Sequence, residues 1–168
     1  MDGGEGHFVA KFRRKGAACP ASLPVSGVQR QKQDQKAADE LFCELFTNPP
    51  EGTVCRYGDK LVLVPWESPV HLPGILRQGT PVGELRGNRL VPSHGLFVAE
   101  LGAPFTKALN LPLNDSKLDL FLQGQELETD LAGKGYLPVL ADGWPVGFGK
   151  LSGGRLKNHY PKGLRRNG

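Results

Sequence analysis

The sequence is poor in cysteine, in long apolar runs and, towards its two ends, in acids. Its three cysteines, Cys19, Cys43 and Cys55, form no CxxC pair and leave an odd thiol. This argues against a disulfide scaffold and against a zinc knuckle. No apolar run approaches the roughly 20 residues that cross a bilayer; the longest, residues 61–66, has the length of a strand. No basic-then-apolar segment opens the chain, so no secretory signal is read there. The expectation is a soluble cytoplasmic protein with neither a membrane nor a metal ion as partner. Catalytic groups are also sparse. His7, His71, His94 and His159 are scattered over a strand, a proline-flanked loop, a turn and a basic tail. No nucleophile, base and orienting group can be named together, and a Cys55–His94 pair is disfavoured for want of an electropositive, partly exposed site.

What the sequence does have is glycine, proline and a particular distribution of charge. The 168 residues, room for one ordinary domain or two small ones, include 23 glycines and 14 prolines, which predicts many turns and short elements. The formal net charge is only +4. Residues 150–168 nevertheless carry six basic side chains and no acid, and residues 11–36 carry seven basic side chains against Asp34 alone. Residues 101–149 hold six acids and three lysines. Two cationic ends therefore bracket a mildly acidic middle, a pattern that attracts polyanions.

Hydropathy patterning divides the chain. Residues 6–13 alternate as a strand, and residues 17–35, rich in Pro, Ser and Gln, read as a linker. A helix is expected from Lys36 to Phe46, with Ala38, Leu41, Phe42 and Leu45 on one face and Cys43 as a buried small apolar group. Hairpins are expected over 53–65, around Gly58-Asp59, and over 76–91, with turns at Gly79 and Gly87-Asn88. Residues 96–101, after a possible cap at Ser93, read as a short helix or strand. Asn114 or Asp115 caps a helix over 116–122 that ends at Gly124. Asp142-Gly143 is a type I′ hairpin signal, and a last strand is expected within 155–160. The fold class is α+β: a short-stranded mixed sheet with helices, followed by a small barrel-like sheet.

Two glycine clusters do not make nucleotide loops. Gly3-Gly4-Glu5-Gly6 precedes a strand and lacks the P-loop lysine, and Gly147-Phe148-Gly149-Lys150 lacks a third glycine and sits in a hairpin. The informative stretch is DGWPVGFGKLSGGRLKNHYPKGLRR, residues 142–166. Here glycines permit close approach, Lys150, Arg155, Lys157, Lys162 and Arg165 offer phosphate contacts, and Asn158, His159 and Tyr160 offer contacts to bases or sugars. Arg86 is a weaker addition. Trp144 and Phe148 are expected in the core.

GWPVGFGK followed by GGRLKNHYPKGLR closely resembles the C-terminal signature of bacterial ribosomal-RNA cytosine-5 methyltransferases of the Sun class. LRQGTPVGELRGNRLVPSHGLFVAEL (76–101) resembles the first C-terminal domain of that family, and GGEGHFVAKFRRKG (3–16) the last strand of its catalytic domain. The resemblance implies four parts: a catalytic-domain remnant (1–16, an orphan strand), a linker (17–36), a first C-terminal α+β domain (37–102) and a PUA-like RNA-binding domain (103–168). It implies ribosomal RNA and a catalytic methyltransferase domain as partners, with S-adenosylmethionine as the parent's cofactor and none held by this chain. The family's two catalytic cysteines lie upstream of residue 3, so Cys19, Cys43 and Cys55 inherit no catalytic role, and a piece of a longer protein is expected. The alternative is a docking module that packs on the catalytic domain with little RNA contact of its own.

Overall fold

Helix α1 (Lys32–Leu45) begins at Lys32 rather than Lys36, and a buried charge explains the difference. Asp34 is 2% exposed and is gripped by Arg56, whose Nε donates to Oδ2 at 2.7 Å while Nη2 donates to Oδ1. Beside it Gln35 Oε1 accepts from the Val54 amide at 3.0 Å. Tertiary partners thus hold in a helical turn a polar stretch whose composition alone reads as linker. The computed structural model describes residues 31–64, 78–87, 89–99, 101 and 103–166; the expected strand at 6–13 and most of the expected linker lie outside them.

Arg56 belongs to β1 (Thr53–Tyr57), the first strand of a sheet completed by β2 (Lys60–Val64), β3 (Thr80–Arg86) and β4 (Arg89–Pro92), in the order β1-β2-β3-β4. Every pairing in it is antiparallel, whereas a mixed sheet was expected. Each strand pairs with its neighbour in sequence, the arrangement of antiparallel ladders. Helix α2 (His94–Val98) follows. Ser93 precedes it, but its hydroxyl donates to the Pro81 carbonyl at 2.7 Å and caps no helical amide.

The second sheet runs β5-β7-β8-β9-β6, with β5 (Leu109–Leu111), β6 (Leu127–Glu128), β7 (Lys134–Ala141), β8 (Trp144–Ser152) and β9 (Arg155–Asn158). Its β5–β7 pairing is parallel. The turn between β7 and β8 has φ of 45° at Asp142 and 87° at Gly143, the double positive φ of the expected type I′ hairpin. Helix α3 (Ser116–Leu122) lies against this sheet. It is capped by Asp115, whose side chain accepts from the Lys117 amide at 2.8 Å, and Gly124 leaves it at φ 89°. Among the described residues no pairing joins β5 to β6, so the sheet is a curled half-barrel, and the architecture is α+β.

Two cores result. The first gathers Ala38, Leu41, Phe42 and Leu45 of α1, Val54, Leu61, Leu63 and Val82 of the first sheet, and Leu96 and Phe97 of α2. The second gathers Leu118 and Phe121 of α3 with Leu137, Val139, Leu151 and Leu156 of the second sheet. Cys43, expected inside, is exposed, because it falls off the helical stripe that Leu41, Phe42 and Leu45 define. Phe148 of β8 is buried as expected, but in the first core, not the second.

It reaches the first core by stacking on Phe97, with ring centroids 4.1 Å apart and planes 10° from parallel. Phe97 in turn faces Phe105 at 6.3 Å, and Phe105 stacks on Phe46 at 5.1 Å. Around this seam the backbone is stitched as well: the Thr47 amide donates to Pro104 and the Thr106 amide to Leu45, both at 2.9 Å. Phe97→Ala is expected to lower the free energy of unfolding by about 3–5 kcal/mol. Denaturant melts followed by far-ultraviolet circular dichroism measure it, and a loss below 1 kcal/mol would contradict the seam's importance.

Candidate nucleic-acid interface

Side chains on directly paired residues of antiparallel strands share a face. The register pairs Tyr136 of β7 with Lys150 of β8, and Lys150 with Lys157 of β9. A row Tyr136–Lys150–Lys157 therefore crosses three strands. The neighbouring row is Lys134–Ser152–Arg155, from the same register. On the other flank Pro138 pairs with Phe148, and the His159 amide donates to the Phe148 carbonyl at 3.2 Å. One face of the second sheet thus grades from the buried Phe148 to the exposed Lys134, Arg155 and Lys157.

Packing fixes this face. The Tyr136 ring meets Phe148 edge-on at 5.9 Å, His159 tilts against Phe148 at 5.2 Å, and the Lys150 ammonium lies 5.6 Å from the Tyr136 centroid, within cation–π range. Among the described residues no carboxylate comes within 4 Å of Lys134, Lys150, Arg155 or Lys157; the ion pairs there are Lys36–Glu40, Arg56–Asp34, Arg86–Glu84 and Arg166–Asp119. The local field is felt by His159, whose pKa is pushed down first by burial and then by Lys157 and Lys150. The result is a concentrated positive face without ion pairs among the described residues, with Glu128 opposite Arg155 at one end, suited to a polyanion.

The other sequence-singled residues divide by strand parity. Asn158 and Tyr160 turn to the opposite face, over α3. The Asn158 amide nitrogen donates to the carbonyls of Phe121 at 2.8 Å and Gln125 at 2.9 Å, and its Oδ1 accepts from the Tyr160 amide at 2.7 Å. Tyr160, half-buried, packs on Phe121 and His94 at 5.6 Å each. Arg165 lies against Gly124 and donates to the Tyr160 carbonyl at 3.3 Å. Lys162 is exposed on a short 3-10 helix (Lys162–Leu164). Arg86 lies on the first sheet, paired with Glu84 at 3.2 Å.

Gly147 and Gly149 also serve the interior. A Cβ at Gly149 would sit 2.6 Å from Leu156 Cγ, and one at Gly147 3.2 Å from the Tyr160 ring. Their lack of side chains admits core groups. Trp144, expected in the core, is 75% exposed at the hairpin tip, because β8 begins there, beyond the edge that α3 covers. Sequence reasoning missed Tyr136 and Lys134; the signal available was the hairpin register, and a bulge at Val146, opposite Val139 and Leu140, disguises it.

The sequence is similar to those of known proteins. Residues 108–166 match the family described as the methyltransferase RsmF PUA domain. The matched residues include Lys134, Lys150, Arg155, Lys157, Lys162 and Arg165 but not Arg86. Over 98% of its length the chain is 26% identical to a ribosomal RNA small subunit methyltransferase F of Aliivibrio salmonicida. Over 95% it is 27% identical to one of Shewanella baltica (strain OS195), and over 98% it is 28% identical to one of Aliivibrio fischeri. It spans 36%, 35% and 36% of their lengths, respectively, so it corresponds to about a third of such a protein. The resemblance read from the sequence is borne out. The described residues form no doubly wound parallel sheet of the kind at whose switch point a nucleoside cofactor sits. Among them no helix is long and apolar enough to cross a membrane.

Two outcomes follow from the geometry. Asn158→Ala removes three hydrogen bonds and is expected to cost roughly 2–4 kcal/mol, while the exposed Lys157→Ala stays within about 0.5 kcal/mol of the parent in the same denaturant melts. His159 and His94 are both depressed chiefly by burial and fold as neutral rings. The unfolded chain takes up protons below about pH 6.5, so stability falls as pH drops from 7 towards 5. Replacing His159 by Gln flattens part of that slope in thermal melts across this range; an unchanged slope would show that His159 does not titrate on folding.

Proposed function

We propose that this chain is the RNA-holding part of an S-adenosylmethionine-dependent ribosomal-RNA cytosine-5 methyltransferase, and that it positions ribosomal RNA for a catalytic domain outside the sequence described here. The observation that carries the reading is the unneutralised row of Lys150 and Lys157, flanked by Lys134 and Arg155, on one face of the PUA sheet. Phosphate contacts release counterions and dominate nucleic-acid affinity. They need cations free of carboxylate partners, held at fixed spacing on a rigid element, and the Tyr136–Lys150–Lys157 row with Lys134 and Arg155 beside it supplies both. His159 adds a third group whose charge a phosphate would restore. Lys162 extends the cationic surface into the tail, with Arg165 beside it. A catalytic cytosine would then be presented by flipping out of the held RNA.

The docking reading keeps one specific observation in its favour. Asn158 and Tyr160, half of the motif's polar signature, are used inside the fold, and Trp144 and Leu113 are exposed on the same domain, at 75% and 70%. Titrating a structured ribosomal-RNA fragment by fluorescence anisotropy against salt separates the two. Lys150→Ala and Lys157→Ala should each reduce the magnitude of the slope of log K on log salt by about 1, similarly for unrelated sequences. Binding and slope that survive the double variant unchanged would remove the RNA assignment of this face and favour docking.

A further inference from the structure

Next to the lysine row, at the turn joining β8 to β9, lies an open polar groove of about 520 Å³ lined by Lys117, Glu128, Thr129, Asp130, Gly153, Gly154 and Arg155. Its size is that of a small-molecule or single-nucleotide site. We propose that it is a nucleotide subsite that accepts an amino-bearing base, cytosine in preference to uracil, from a single-stranded stretch of RNA whose backbone lies on the Lys150–Lys157 row. The proposal rests on the RNA-binding reading given above.

The groove differs from the rest of the cationic face in carrying both signs of charge. Arg155 pairs directly with Glu128 across β9 and β6, yet the two side chains form no ion pair, and among the described residues neither Glu128 nor Asp130 has a cationic group within 4 Å. Lys117 reaches towards Glu128 but donates to its main-chain carbonyl, at 3.3 Å, not to its carboxylate. Two acids beside an array of phosphate-binding cations weaken that array unless they meet donors of the same ligand. A carboxylate is an acceptor only. The ligand must therefore bring a negative group to Arg155 and hydrogen-bond donors to Glu128 or Asp130. A nucleotide with an exocyclic amino group brings both, since Glu and Asp accept from cytosine N4, whereas uracil places an acceptor, O4, at that position.

The floor of the groove suits close approach. Gly153 and Gly154 form the turn with φ of 58° and 75°, and nothing lies within 4 Å of where a Gly153 Cβ would be. The opposite wall is held in place: the Thr129 amide donates to the Gly154 carbonyl at 2.9 Å, and the Thr129 hydroxyl accepts from the Leu131 amide at 3.2 Å. Arg155 belongs both to this groove and to the face of Lys157, two residues along β9, so a strand crossing the row leads into the groove.

The test compares short oligocytidylate and oligouridylate of equal length, single-stranded, binding the full chain at one salt concentration. Oligocytidylate is expected to bind at least about fivefold tighter. In Glu128→Ala/Asp130→Ala the ratio should fall towards one while oligouridylate binding holds or strengthens, both replacements being exposed and harmless to the fold. Lys150→Ala should weaken both probes alike and keep the ratio. Equal affinities in the parent, or a ratio that survives the double replacement, would overturn the subsite while leaving the salt-dependent RNA binding of the row intact. Failure to bind either probe or the ribosomal fragment would overturn both readings.

Discussion

The stack of Phe97 on Phe148 is the contact on which the arrangement depends. It is where the helix of one sheet meets the central strand of the other, and it belongs to a chain of rings from Phe46 through Phe105 and Phe97 to Phe148. Such a pair contributes about 0.5–1.5 kcal/mol beyond the area it buries, but its larger effect is on direction. A strand has a period of two, so seating Phe148 against α2 sends Gly147, Gly149 and Leu151 to the α3 side and Lys150 to the face of Phe148. Lys150 lies past the part of that face which α2 covers, half-buried beside Tyr136. An anchor in one core thus aims a cation at solvent.

The same alternation separates two tasks within one short segment. Along β9 and just beyond it, Arg155, Lys157 and His159 take one side while Leu156, Asn158 and Tyr160 take the other. Leu156 fills the space left by Gly149. Asn158 supplies donors to the carbonyls of Phe121, in the last turn of α3, and Gln125, just beyond it, and the Arg166 amide reaches that of Leu122 at 3.1 Å, a helix-terminal group. The polar residues of the tail therefore hold the surface on which the basic ones sit. A compositional reading treats LKNHYPK as one patch; the pleat makes it two.

What was legible in the sequence was local. The cap at Asp115, the glycine after α3, the Asp142-Gly143 turn and the apolar stripe of α1 each depend on residues within a few positions of one another, and each stands where expected. What was not legible came from distant partners. Nothing near Asp34 announces that Arg56 will bury it and extend α1. From the 142–143 turn, a regular hairpin pairing Ala141 with Trp144 would place Tyr136 opposite Gly149. The ladder shifts instead between Val139 and Leu140, where Val139 faces Gly147 and Leu140 faces Pro145. That one-residue bulge puts Tyr136 opposite Lys150, and a single step of register exchanges faces. The aromatic member of the cationic row was for that reason hidden from pattern alone.

Electrostatics gives the row its meaning. Like charges directly across a ladder are unfavourable, and Lys150 opposite Lys157 is such a pair, with Lys134 and Arg155 one row away. The cost is visible at His159, where the two lysines add to burial in disfavouring its proton. Nothing in the fold requires it: Lys157 and Arg155 are exposed, make no ion pair among the described residues, and leave the core unaltered if replaced. Acids are at hand in the middle of the chain, yet Asp119 pairs with Arg166 at the tail and Glu84 with Arg86 on the other sheet, and Glu128, opposite Arg155, makes no ion pair with it. On the RNA-holding reading proposed above, the neutralising charge comes from another molecule. A polyanion laid along the row removes the lysine–lysine repulsion and the penalty on the His159 proton together, so the strain of the free face is returned as affinity in the complex.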